Sequence, residues 1–121
     1  MKSHWMEYKG KRIFIADYSG FDDDVVALRA EIEQAISTLE KEPEGSALVL
    51  ANVEGTSGTV ANANALKEQL PRSAHVARKR AVVGVTGMKR FFLSTFAVIA
   101  GRGSATPFDT LEQALDWLVK D

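Results

Sequence analysis

Three short apolar runs set the limits on how this chain can fold. They are Ile13-Phe14-Ile15-Ala16, Ala47-Leu48-Val49-Leu50-Ala51 and Ala81-Val82-Val83-Gly84-Val85. Each is about the length of a strand, and none shows the polar alternation of a half-exposed sheet. Continuous apolar strands belong to sheets covered on both faces. Between the runs lie stretches with helical spacing. Strands joined by helical crossovers run parallel. A parallel, doubly covered sheet is therefore the first expectation.

The helical stretches support it. Over Asp22–Glu42, Val25, Leu28, Ile32, Ala35, Ile36 and Leu39 recur at spacings of three and four, with Glu31, Glu33, Glu40 and Lys41 off the stripe. The preceding Asp22-Asp23-Asp24 is read as capping chemistry, because carboxylates at a helix start accept from free amides and oppose the dipole. A second helix is expected over Thr59–Leu70, ended by Pro71. A third, Met88–Ala100, is apolar almost all round, which requires cover on more than one side. A last helix follows Asp109-Thr110-Leu111-Glu112, with Leu111, Ala114, Leu115 and Leu118 inward. At the front, Trp5–Tyr8 and Arg12–Ala16 flank Lys9-Gly10-Lys11, a hairpin turned at Gly10. A short strand is expected over Ala105–Phe108. The expected fold class is α/β: a mixed, mostly parallel sheet of about five strands with four helices, ordered β-β-α-β-α-β-α-β-α, in one domain over residues 1–121.

Composition removes several functions. The chain has 121 residues, no cysteine and two histidines, His4 and His75. A structural zinc site needs about four Cys or His ligands, and a thiol nucleophile or disulfide framework is excluded. No metal or cofactor is expected. With 15 basic and 16 acidic residues the net charge is −1, which argues against a bulk grip on nucleic acid. The longest purely apolar runs are far short of the roughly 20 residues of a membrane span. The N-terminus lacks the apolar core of a signal peptide. Cytoplasmic residence is the expectation.

The order of elements, and four phrases in it, resemble the STAS-type domains and more closely the small SpoIIAA-like proteins, a group also linked to CRAL-TRIO-type domains. The phrases are Lys11–Gly20, Leu48–Val53, Ala81–Lys89 and Pro107–Leu118. The resemblance implies a non-enzymatic regulatory module that binds a protein or a small ligand. In the anti-sigma-factor antagonists a serine in an Asp-Ser-Ser-Gly stretch is phosphorylated. Its counterpart here is Ser57 in Gly55-Thr56-Ser57-Gly58, without the preceding aspartate and with a shorter lead from the strand. The CRAL-TRIO link implies an apolar, lipid-like ligand as the alternative.

Three places stand out as sites. Asn52, Gly55, Thr56, Ser57 and Gly58 lie between a strand's carboxyl end and a helix start, where ligands of open α/β sheets bind. Met88, Phe91, Phe92, Phe96 and Ile99 form an apolar surface suited to the core, a homodimer interface or an apolar pocket; a peripheral lipid contact follows from the same face. Arg72, Arg78, Lys79 and Arg80 form a basic stretch able to meet an anionic partner, or merely to complement a helix end. No catalytic motif occurs: Thr86-Gly87-Met88-Lys89 is too short for a phosphate-binding loop, and no Gly-x-Ser-x-Gly elbow is present. An uncharacterised enzyme using Asp17, Asn52 or His75 is the weaker alternative.

Overall fold

A computed structural model describes residues 1–84 and 105–120. The first strands, β1 (His4–Tyr8) and β2 (Lys11–Asp17), form the expected hairpin, with Tyr8 opposite Lys11. Lys9 and Gly10 both have positive φ, 49° and 83°, the backbone of a two-residue turn matched to strand twist. The helix α1 (Val25–Leu39) leads to β3 (Ala47–Asn52), and α2 (Val60–Ser73) leads to β4 (Ala77–Val83). β5 (Thr106–Phe108) and α3 (Leu111–Val119) complete the described residues.

The five strands lie in the order β1-β2-β3-β4-β5. β1 is antiparallel to β2, and the other pairs are parallel. The molecule is thus a small mixed α/β domain with a mostly parallel sheet. The four-helix order requires correction. Among the described residues there are three helices, in the order β-β-α-β-α-β-β-α. The helix expected over Met88–Ala100, with Phe91, Phe92, Phe96 and Ile99, lies outside the described residues.

Strand alternation divides the core in two. Phe14, Ala16, Val49 and Val82 face α1 and α2, meeting Leu28, Ile32, Ile36 and Leu66. Ile13, Ile15, Leu48, Leu50, Ala81 and Val83 face α3, meeting Ala114, Leu115 and Leu118. Both crossovers place their helices on one face, as right-handed connections between successive parallel neighbours require.

Several boundaries differ from the sequence expectation, each for a local reason. α1 starts at Val25 and not Asp22, because Asp22 is drawn into the left-handed region at φ 52° and Asp24 is the cap, its Oδ1 accepting from Ala27 N. α2 runs through Pro71 to Ser73. Its last turn is held from outside: Arg72 grips Glu33 of α1 with two bonds of 2.5 and 2.9 Å, and Arg80 of β4 donates to Ser73 Oγ at 2.8 Å. Those ties help to hold the turn against the local bias of proline. β4 begins four residues before the expected strand and takes in Arg78, Lys79 and Arg80. α3 is capped by Thr110, not Asp109, and Leu111 is exposed.

The amphipathic stripe of α1 carries one residue that periodicity placed outside. Glu31 is buried, and its carboxylate accepts from the backbone N–H groups of Lys2 and Ser3 at 3.0 and 2.9 Å. Ser3 Oγ in turn accepts from Asp17 N at 2.9 Å. The segment before β1 is thereby tied to both α1 and β2. Burial opposes ionisation of Glu31, but the bonds from Lys2 and Ser3 outweigh it, and its pKa falls below the ordinary value of 4.5.

Two predictions follow from the core and this tie. Leu50 is fully buried, so Leu50→Ala costs about 2–5 kcal/mol, measured by urea denaturation. The Glu31 contribution is complete above its ordinary pKa and is lost as pH falls through the depressed folded value. Glu31→Gln is therefore less stable than wild type at neutral pH, and the gap between their urea midpoints closes in acid.

Candidate functional site

The carboxyl ends of β2 and β3 are adjacent, with Asp17 opposite Asn52. Beyond them the two chains remain bonded. Tyr18 N donates to Asn52 O at 2.9 Å, Gly20 N to Glu54 O at 2.8 Å and Asp22 N to Gly55 O at 3.0 Å. Ser57 N then donates back to Asp22 O at 2.8 Å, and Asp22 and Thr56 form a parallel bridge. The β2–α1 and β3–α2 connections are thus one stitched surface.

Thr56 is its centre. The side chain is buried, its Oγ1 donating to Tyr18 O at 2.5 Å and accepting from Phe21 N at 3.2 Å. Asn62, fully buried in the first turn of α2, donates from Nδ2 to Asp22 O and Ser57 O at 2.8 and 3.0 Å. Its Oδ1 is the one buried side-chain polar atom without a partner among the described residues. Close packing also fixes two glycines. A Cβ on Gly55 would stand 3.3 Å from the Gly20 backbone, and one on Gly84, at φ 88°, would stand 2.5 Å from Glu54 N.

The expected loop residues have distinct roles here. Asn52 Oδ1 accepts from Glu54 N at 3.0 Å, which turns the chain out of β3. Gly55 supplies a positive φ of 76°. Ser57 is half-buried and donates from Oγ to Asp22 Oδ1 at 2.8 Å. Gly58 is exposed, and Thr59 caps α2 by accepting from Asn62 N at 3.1 Å. Around this surface Val26 and Val60 are exposed, at 77% and 69%, at the starts of α1 and α2.

The three residues of the enzyme alternative do not converge. Asp17 and Asn52 share the carboxyl edge, where Asp17 Oδ1 accepts from Ser19 N at 3.1 Å and from Ser19 Oγ, a turn-forming role. His75 precedes β4 at the other end of the sheet, beside Glu44 and Arg78. Among the described residues no group of three or more His, Asp or Glu side chains is placed to hold a metal ion. No helix among them is long and apolar enough to cross a membrane.

The basic stretch is dispersed. Arg72 pairs with Glu33, which pulls that carboxyl below its usual range through the hydrogen bond and the charge. Lys79 points toward α3, donating to Trp117 O and Lys120 O at 3.0 and 2.6 Å. Arg80 is buried on the α1–α2 face, and burial lowers its guanidinium to about 10, still cationic at neutral pH. Nearby, burial and the Glu31 charge push the Tyr18 phenol up. Only Arg78 of the four is both exposed and outside these ties. The roles of Asp22 and Asn62 carried no sequence signal, because each depends on a partner across the fold: Asp22 meets Gly55 and Ser57, and Asn62 meets Asp22 O.

The chain matches no protein-family model, no curated protein and no solved structure.

The stitched loops make a sharp prediction. Thr56→Val keeps the shape but leaves Phe21 N and Tyr18 O without their partner, at about 1–3 kcal/mol for an unmade buried bond. It lowers the urea midpoint and speeds amide exchange at Phe21. Ser57→Ala, which loses a bond to an exposed carboxylate, leaves the midpoint nearly unchanged.

Proposed function

We propose that this domain is a STAS-like regulatory module that binds a protein partner at the carboxyl edge of its sheet, without turnover. The observation that carries the reading is the stitched pair of connections, which presents exposed Val26 and Val60 on a fixed backbone. A valine exposed at the start of each of two neighbouring helices offers apolar contact area to a partner. Asp22, Asp23 and Glu54 are exposed on the adjoining loops and suit a partner with basic residues at its rim. The polar groups at this edge also support binding over chemistry. Asp17, Asn52 and Thr56 are each engaged in holding the backbone.

Ser57 is where the resemblance puts a phosphate. A phosphate on Oγ would oppose the Asp22 carboxylate that now accepts its proton. Modification would therefore disconnect the two loops at one point and change the surface offered to the partner. The reading with an apolar ligand rests on residues outside those described.

Crosslinked affinity capture from the source cells tests the reading. Wild type, Val60→Glu and Lys41→Glu are compared by quantitative mass spectrometry. A partner retained by Lys41→Glu and lost by Val60→Glu is the expected result. Equal yields of every captured protein from all three would sink it.

A further inference from the structure

We propose that a crevice at the amino-terminal edge of the sheet binds a phosphate-bearing ligand. The crevice measures about 380 Å³ and lies at the opposite end of the strands from the stitched loops. Lys11 and Arg12 come from the start of β2, Arg78 from the start of β4 and Lys120 from the end of α3, with Leu48 and Leu118 among the apolar lining. The volume falls within the range of small-molecule sites, about 300–1,000 Å³. Four cationic side chains from three elements therefore surround one space, in a chain whose net charge is −1.

Two features make this more than scattered surface charge. The first is a bulge. Ala47 pairs with Ala77 and Leu48 with Lys79, so Arg78 is an extra residue outside the ladder. Bulges re-aim a side chain, and here Arg78 joins Lys120 and Leu118 at the crevice while Arg80 goes into the α1–α2 core. Arg78 makes no ion pair among the described residues. The second is the apolar lining. Leu118 is 1% exposed and Leu48 8%, and a low-dielectric wall focuses the field of neighbouring charges.

The remaining groups have defined tasks. A helix carboxyl end repels anions, but that of α3 is met by lysines: Lys11 donates to Val119 O at 2.9 Å, and Lys79 takes the carbonyls of Trp117 and Lys120. Arg12, itself exposed, lies over the Trp5 ring at 4.1 Å and 3.5 Å from the half-buried Glu42, a single ion pair that a stronger anion can displace. Ser46 also lines the crevice, but its hydroxyl donates to Pro43 O at 2.6 Å. Recognition thus falls to the guanidinium forks, whose paired N–H groups match two oxygens of one phosphate.

The ligand's phosphate could be free in solution or belong to a lipid headgroup, and two probes separate these. Inorganic pyrophosphate is titrated by calorimetry. Phosphatidylcholine vesicles, with and without phosphatidic acid, are tested by co-sedimentation. Binding to pyrophosphate alone indicates a dissolved phosphate compound; binding to the phosphatidic acid vesicles indicates a headgroup, and either result supports the proposal. The interaction is expected to weaken with added salt. Arg78→Glu should weaken it about tenfold or more, whereas Lys67→Glu on α2 leaves it unchanged. Should Arg78→Glu fail to fold, Arg12→Glu, which reverses the other guanidinium of the crevice, makes the same test. No binding to either probe, or undiminished binding by a folded Arg78→Glu or Arg12→Glu protein, would overturn the assignment.

Discussion

The parallel ladder between β2 and β3 does not end with the strands, and much else depends on that continuation. Backbone bonds carry it through Tyr18, Gly20 and Asp22 on one side and Asn52, Glu54 and Gly55 on the other. Extended chain ends past a sheet normally leave their amides to water. Here they satisfy one another, and the buried Thr56 hydroxyl holds what the ladder cannot reach. Because α1 begins three residues after Asp22 and α2 three residues after Ser57, the ladder also fixes where both helices start. The sheet, the helix starts and the carboxyl-edge surface are consequences of one set of backbone bonds.

The parts legible in the sequence were those whose cause is local. Apolar continuity in β2 and β3 marks strands buried on both sides, and Gly10 marks the hairpin. The spacing of Leu28, Ile32, Ala35, Ile36 and Leu39 marks the inner face of α1. The rest was set by contacts across the fold. Glu31 reads as a surface residue because its partners are backbone amides near the chain start. Pro71 reads as a helix end because the ties through Arg72 and Ser73 are tertiary. The candidate loop at Asn52–Gly58 was visible from its place between strand and helix, but not its pairing with Asp22, whose positive φ no neighbour announces.

Charge behaves in the same way. Arg72, Arg78, Lys79 and Arg80 are neighbours in sequence and go to four different environments in space: an ion pair with α1, the amino-edge crevice, the end of α3 and the core. Lys11, Arg12 and Lys120 are distant from Arg78 in sequence and meet it at the crevice. A strand that inserts one extra residue is enough to redistribute such a cluster. Linear charge density is therefore a poor guide to local potential in a doubly covered sheet.

The cover of the second sheet face has a consequence for how the domain keeps to itself. Among the described residues, the face bearing Ile13, Ile15, Leu48, Leu50, Ala81 and Val83 is covered by the nine-residue α3. The contacts that dock it are among the most distant in sequence, as when Tyr8 Oη donates to Asp116 Oδ1 across 108 positions. The same helix meets β3, β4 and β5, so one short element closes a face built from most of the sheet. Among the described residues α3 is what keeps that β-rich apolar face from other chains, so its undocking would uncover a surface prone to association.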